Sequence, residues 1–254
     1  MLIIVVAAGG LPVACSHWSG GPERAGVSGA AGRALWGVQA RYAPDRHLGI
    51  YSVGLQRQGQ ELLVTGEVDR VEAKVATLQA LEGAGVKVRD CVRVLPAEEL
   101  GERVWGIASL SVASAREKPE HMAEMGTQIL MGGVVKVWKS VGNGWWYYVQ
   151  CADGYPAWLE KGTFVRCTRE QVEAWNCAPR LIVTAMEATV LEGPQAEAMP
   201  VSDVVIADLL KRVGEAGEVA PGGAAGRTAG LFAEESGCGL RRVAASAATD
   251  RGEH

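Results

Sequence analysis

Residues 134–160 read VVKVWKSVGNGWWYYVQCADGYPAWLE. Short β-rich runs are broken at Gly142-Asn143-Gly144 and at Asp153-Gly154, residues that turn a chain cheaply. The same texture extends outward: WGIASLSVAS at 105–114 and TQILMGG at 127–133 precede the stretch, and FVRCT at 164–168 follows it. Turn signals at intervals of roughly 8–15 residues are the pattern of a small all-β barrel. With a side-chain period of two, Trp146 and Tyr148 share one face of their strand, and Trp145 and Tyr147 share the other. One face packs inward and the other is half-exposed. Trp145, Tyr147 and Trp158 are therefore candidates for an aromatic groove that holds peptide or glycan. The alternative is that every ring is packing.

A second set of β-like runs begins at Leu181 with LIVTAMEATVLEG and continues through Pro200–Asp203 to VIADLLKRVGE, an internal repeat of the same barrel type. Between the two sets, TREQVEAWN at 168–176 predicts a short helix capped by Thr168, with Glu170 and Gln171 near the capping-box position. Upstream, RHLGIYSVGL at 46–55 and ELLVTGE at 61–67 predict a hairpin about Gln58-Gly59-Gln60. Val71, Val75, Leu78 and Leu81 then predict a helix, with Asp69 as N-cap, Glu72 closing a capping box, and Gly83 and Gly85 ending it. VKVRDCVRVL at 86–95 makes a third strand, in which Cys91 reads as a small core residue. The order β-β-α-β describes a small α+β unit in which nothing carries chemistry.

The chain has 254 residues, enough for more than one domain, and 48% of them are hydrophobic against 21% charged, as in globular proteins. With 25 Lys+Arg against 29 Asp+Glu, the net charge of −4 argues against a strongly basic nucleic-acid binder. The six cysteines show no C-x-x-C spacing, which disfavours zinc ribbons and dithiol redox sites, so no metal ligand and no cofactor is assigned. A Cys151–Cys167 bridge stays open. Residues 1–15, MLIIVVAAGGLPVAC, are too short an apolar run to span a membrane. They resemble a bacterial lipoprotein signal in which Cys15 carries the lipid. Pro12 and the absence of Lys or Arg before Cys15 keep a buried N-terminal strand as the competing reading. Residues 16–33, rich in Gly, Ser and Ala, read as a flexible spacer. After Gly214 about half the residues are Gly or Ala and no period can be followed, so 214–254 reads as an atypical, disordered tail.

The block from Tyr42 to Val213 resembles the N-terminal part of NlpC/P60 cell-wall peptidases of the YkfC type. The stretches that carry the resemblance are Tyr42-Ala43-Pro44-Asp45-Arg46; Leu63-Val64-Thr65-Gly66-Glu67; Val94-Leu95-Pro96 with Leu100-Gly101; and Trp105-Gly106 through Ser111-Val112-Ala113. Further along, Arg116 with Pro119, Glu124 with Thr127-Gln128, and Asp153-Gly154-Tyr155 followed by Trp158 complete it. The resemblance implies a mainly β protein with a small α+β N-terminal unit and two bacterial SH3 (SH3b) barrels, the second incomplete. The divisions are a lead-in unit at 34–100, a first barrel at 101–168, a linker helix at 169–180 and a partial second barrel at 181–213.

In that family a papain-like domain with an Asp-Cys-Ser-Gly nucleophile motif follows the barrels. No such motif occurs here, and Cys238 has only His254 after it, so no catalytic residue is assigned. The abrupt change near Gly214 suggests a frameshifted or truncated reading frame. The resemblance further implies that Glu124 and Tyr155 bind the free N-terminal L-Ala of a peptidoglycan stem peptide. A carboxylate gives the α-ammonium a charge-assisted hydrogen bond, and a phenol adds a neutral one. Arg116 either pairs with a carboxylate or caps the loop. The expected function is that of an exported SH3b protein of the periplasm or outer membrane. It recognises cell-wall stem peptides as the non-catalytic part of an endopeptidase, with membrane anchoring through Cys15. The alternatives are an active γ-D-glutamyl-L-diamino-acid endopeptidase and an SH3b module that binds another protein.

Overall fold

The structure is a computed structural model and describes residues 29–45, 48–58, 61–192, 198–215, 231–234 and 242–245. Cys15 and Cys238 lie outside these residues, as do the signal-like segment and most of the spacer and tail.

The lead-in unit opens with helix α1 (Ala30–Tyr42), which begins inside the stretch read as a spacer. Its burial-competent positions are mostly alanine, with Gly32 and Gly37 between them, so the periodic signal is faint. Strands β1 (Tyr51–Gln58), β2 (Glu61–Val68) and β3 (Val88–Val94) form a sheet in that order. β1 and β2 are antiparallel; helix α2 (Val71–Gly83) makes the crossover that lets β3 run parallel to β2. Ala31, Val64, Val68, Ala73, Leu81 and Val92 form the core between helices and sheet.

Two expectations are corrected here. Asp69 is not the cap of α2: Arg70 holds that position and its side chain makes no capping bond. Instead the Asp69 carboxylate accepts from the Ile50 N–H (3.2 Å) and from Arg70 (2.8 Å), tying the start of β1 to the end of β2. Burial would raise this carboxyl, but the bonds from Arg70 and Ile50 outweigh it and hold it below the usual range. Cys91 lies on the exposed side of β3, not in the core.

The first barrel has seven antiparallel strands: β4 (Trp105–Ala108), β5 (Val112–Arg116), β6 (Met125–Leu130), β7 (Val134–Val141), β8 (Trp146–Gln150), β9 (Pro156–Glu160) and β10 (Phe164–Cys167). Their spatial order is β10-β4-β7-β8-β9-β5-β6. Alternate residues point inward, and Ala113, Ala115, Val135, Val137, Val149, Ala157 and Leu159 fill the interior. Cys151 and Cys167 are both free thiols, so the bridge left open above is not formed.

Helix α3 (Arg169–Cys177) follows. Thr168 and Gln171 form the capping box, with the Thr168 N–H donating to Gln171 Oε1 at 2.9 Å. The second sheet contains β11 (Arg180–Ile182), β12 (Glu187–Leu191), β13 (Pro200–Val205), β14 (Leu209–Glu215), β15 (Leu231–Glu234) and β16 (Arg242–Ala245). Two stretches of the supposed tail are thus strands, which corrects the disordered reading at those residues. The order β11-β14-β16-β15-β12-β13 parallels β4-β7-β8-β9-β5-β6 of the first barrel. The inner two strands, however, are exchanged in sequence. β16 runs parallel to β14 and β15 parallel to β12, where the first barrel is antiparallel throughout.

The two barrels meet at the Met131-Gly132 turn. Met131 enters the core of the second barrel with Val183, Val190, Val204 and Leu210. The Met131 N–H donates to buried Asp208 (3.0 Å), and Trp175 Nε1–H donates to the Gly132 carbonyl (3.1 Å). Gly132 has φ +82, and a Cβ there would lie 2.6 Å from the Leu209 carbonyl oxygen and 2.8 Å from the Trp175 ring. Gly132→Ala is therefore expected to cost about 2–5 kcal/mol in urea unfolding, the sum of overpacking and left-handed strain. Gly162→Ala, also at positive φ but facing open space, is expected to cost about 1–2 kcal/mol.

Candidate functional site

Strand β8 settles which aromatic rings can reach a ligand. Tyr147 and Val149 point into the barrel, and Tyr147 meets Phe164 edge-on with centroids 5.4 Å apart. Trp146 and Tyr148 point outward, yet neither is bare. Trp146 is covered by His121 (5.2 Å between centroids) and is buried, while Tyr148 lies against Trp158 (5.0 Å).

The groove expected from Trp145, Tyr147 and Trp158 does not exist as one surface. Gly142, Asn143 and Gly144 all have positive φ, and the tight turn they make leaves Trp145 on its rim, 59% exposed. The pleat sends Tyr147 into the core, and Trp158 lies on the outward face beside Tyr148. Only Trp158 of the three belongs to the site described next.

The loop between β5 and β6 is closed by the Glu117 N–H donating to the Glu124 carbonyl (3.0 Å) and by Arg116 Nη1 donating to the Ala123 carbonyl (2.8 Å). Arg116 thus fastens the loop. Glu124 stands exposed at its end. Tyr155 leaves the β8–β9 turn, where its N–H donates to Asp153 Oδ1 (3.0 Å) and its carbonyl accepts from the Cys151 N–H (2.9 Å). Its ring lies over Gly126: a Cβ there would be 3.1 Å from the ring and 3.4 Å from the hydroxyl. The phenol therefore rests on the backbone two residues beyond Glu124.

Two further residues, given no role in the sequence reading, complete the surroundings. Lys139 pairs with Glu67 of the lead-in unit, and its ammonium sits 5.5 Å from the Tyr148 ring centre and 5.6 Å from that of Trp158. Burial, then the Glu67 charge and Tyr155, push the Tyr148 phenol up to about 12. Glu67, Tyr148 and Tyr155 thus stand in one electrostatic neighbourhood. Lys139 was hidden in a regular-looking V-K-V-W-K-S run, and Glu67 in a unit with no evident chemistry. The nearby Cys151 thiol is also pushed up to about 12, by burial and by Asp153, which leaves it protonated and un-nucleophilic. The set offers a carboxylate, an ammonium, two phenols and an aromatic floor, which is equipment for binding. Among the described residues no group of three or more His, Cys, Asp or Glu could hold a metal ion.

Residues 115–162 match the family described as the bacterial dipeptidyl-peptidase Sh3 domain. The matched segment contains Glu124, Lys139, Tyr148, Tyr155 and Trp158, so the chain carries a bacterial SH3 domain there. A search of curated proteins finds no match. Among solved structures, an NlpC/P60 endopeptidase from Photobacterium damselae subsp. piscicida is similar at 9% identity and TM-score 0.40, over 61% of this chain and 34% of that one. An NlpC/P60 family protein from Bacillus cereus is similar at 13% identity and TM-score 0.39, over 55% of this chain and 53% of that one. This chain therefore spans about a third and about half of those two proteins.

The raised Tyr148 phenol has a stability consequence. An unfolded chain loses that proton near pH 10, whereas the folded one keeps it to about 12. The phenol's contribution is complete below pH 10 and is lost as the pH rises through the folded value. In denaturant melts, the stability difference between wild type and Tyr148→Phe is expected to be constant from pH 7 to 9. It is then expected to shift against the wild type between pH 10 and 12.

Proposed function

We propose that this chain is the substrate-recognising part of a cell-wall protein. In this reading the first barrel seats a peptidoglycan stem peptide by its free N-terminal L-Ala. The Glu124 carboxylate and the Tyr155 hydroxyl are the acceptors for the ammonium. The observation that carries this reading is the Tyr155 ring lying on Gly126, which brings a phenol to the end of the loop that presents Glu124. The sequence resemblance to NlpC/P60 peptidases and the Sh3-domain match of the same segment support the reading. A charged acceptor discriminates strongly: an alanine still amide-linked to glycan has no charge to offer, and Glu124 would lose its partner on desolvation. In the same proposal the protein is exported to the cell envelope and Cys15 bears its lipid, and hydrolysis is not performed by the residues described here.

The test is calorimetric titration of the full chain with L-Ala-γ-D-Glu-diaminopimelate and with its N-acetylated form. The free peptide is expected to bind at least about tenfold more tightly, the worth of one charge-assisted hydrogen bond. Glu124→Gln is expected to erase that preference. Equal affinity of the wild type for both peptides, or an unchanged preference in Glu124→Gln, overturns the ammonium site. Release of diaminopimelate during the titration would overturn the non-hydrolytic reading.

A further inference from the structure

The loop between β5 and β6, residues 117–124, is fastened at its neck and at one point of its tip. The neck bonds are those of Glu117 with Glu124 and of Arg116 with Ala123. Inside the loop, the Glu120 N–H donates to the Lys118 carbonyl (2.8 Å) and the Ala123 N–H to the Glu120 carbonyl (3.2 Å). None of residues 117–125 is buried, so apolar packing does not hold the loop down. The tip is tied to the barrel by His121. Its ring centre lies 5.2 Å from that of Trp146, with the planes at 59°, and its Nδ1 lies 3.7 Å from Glu160 Oε2. Trp146 and Glu160 are directly opposite in the β8–β9 pair, so their side chains rise together on one face of the sheet. The imidazole thus sits in a socket with one aromatic wall and one carboxylate wall. From this geometry we propose that His121 is a pH-operated latch, whose protonation pins loop 117–124 to strands β8 and β9. The inference goes beyond the ligand reading above and holds whatever the loop binds.

The two protonation states make different contacts. At 3.7 Å the ring nitrogen and the carboxylate are too far apart for a hydrogen bond. A neutral imidazole is therefore held by its ring contact with Trp146 alone. An imidazolium adds a charge attraction to Glu160 and a cation–π attraction to Trp146. Histidine changes charge between about pH 5 and 8, so the added hold is present at the acid end and is lost as the pH rises. Among the described residues the Glu160 carboxylate has no other ion pair or hydrogen bond. Lys161, the next residue, turns its ammonium to Trp145, 5.8 Å from that ring centre. Strand β8 carries no Asp, Glu, Lys or Arg, and Tyr148, on the same face as Trp146, keeps its proton up to about 12. The other charges nearby belong to the loop and its neck: Arg116, Glu117, Lys118, Glu120 and Glu124. The His121 side chain is 70% exposed, so solvent screens both attractions and the latch is a modest one.

The experiment is nitrogen-15 relaxation of the full chain, without ligand, at pH 5.5 and at pH 7.5. It reads the backbone order parameters of residues 118–123. In wild type these are expected near the rigid-backbone value of about 0.85 at pH 5.5, and to fall toward about 0.6 at pH 7.5. His121→Phe keeps a ring for Trp146 but cannot take a charge; it is expected to give the same order at both pH values. Glu160→Gln keeps the shape of the socket and removes its charge; it is expected to shrink the difference between the two pH values. The amide spectrum outside the loop reports that each variant is folded. Equal order at the two pH values in wild type overturns the latch. A difference that persists undiminished in His121→Phe traces it to another group and overturns the latch as well. An undiminished difference in Glu160→Gln removes the carboxylate from the socket and overturns the proposal as stated.

Discussion

The single extra residue in β7 fixes where the two units meet and which side chains the barrel turns outward. A regular strand would alternate, and Trp138 and Lys139 could not both lie outside the core. The bulge at Trp138 turns both outward. Trp138 goes into the joint with the lead-in unit, packed with Leu95 and Ala97 and only 4% exposed. Lys136 covers its face with the ammonium 4.0 Å from the ring centre. The cost of this docking is visible: Trp138 Nε1 is buried and has no acceptor among the described residues. A lost indole hydrogen bond of about 1–3 kcal/mol is comparable to what burying one large ring contributes. The rest of the joint must therefore hold it, and it does so through the Ala97 N–H donating to the Trp138 carbonyl (2.8 Å) and through Lys139 paired with Glu67.

The lead-in unit is consequently more than a spacer. Sequence reading found no chemistry in it, because Glu67 looks like an ordinary strand carboxylate at the end of L-V-T-G-E. Only the packing of β2 beside the barrel turns that carboxylate toward Lys139. The Leu48 carbonyl likewise accepts from Gln150 (3.0 Å) at the β8–β9 turn that positions Tyr155. Two elements of the lead-in unit thus touch the strand and the turn that carry candidate binding residues.

What was legible in the sequence was whatever a local period or a cap encodes. The barrel strands follow from turn residues at regular intervals, the opposed faces of Trp146 and Tyr147 follow from the pleat, and the Thr168–Gln171 box follows from spacing. What was not legible depends on pairing partners distant in sequence. V-K-V-W-K-S alternates well enough to hide a bulge that exists only against β8. Asp69 has the spacing of an N-cap, but Ile50 competes for it from nineteen residues away and wins. Cys91 sits in an apolar run, yet its strand places it on the uncovered side of the sheet. The parallel entry of β15 and β16 beside β12 and β14 has no signature in a stretch of Gly and Ala.

The two barrels share a strand order and differ in strand direction. In the first, β8 and β9 run antiparallel to their neighbours and end in the turn that carries Tyr155; the outward face keeps its aromatic residues. In the second, the equivalent positions are taken by strands of reversed direction, and the turn corresponding to Asp153-Gly154-Tyr155 has no counterpart among the described residues. What the second barrel does provide is a seat. Met131 fills its core, and Asp208 accepts from Met131 and from Val205 (2.8 Å), although burial pushes that carboxyl upward. A buried carboxylate with two backbone donors is directional in a way that apolar packing is not. It fixes the orientation of the first barrel on the second through the turn between β6 and β7.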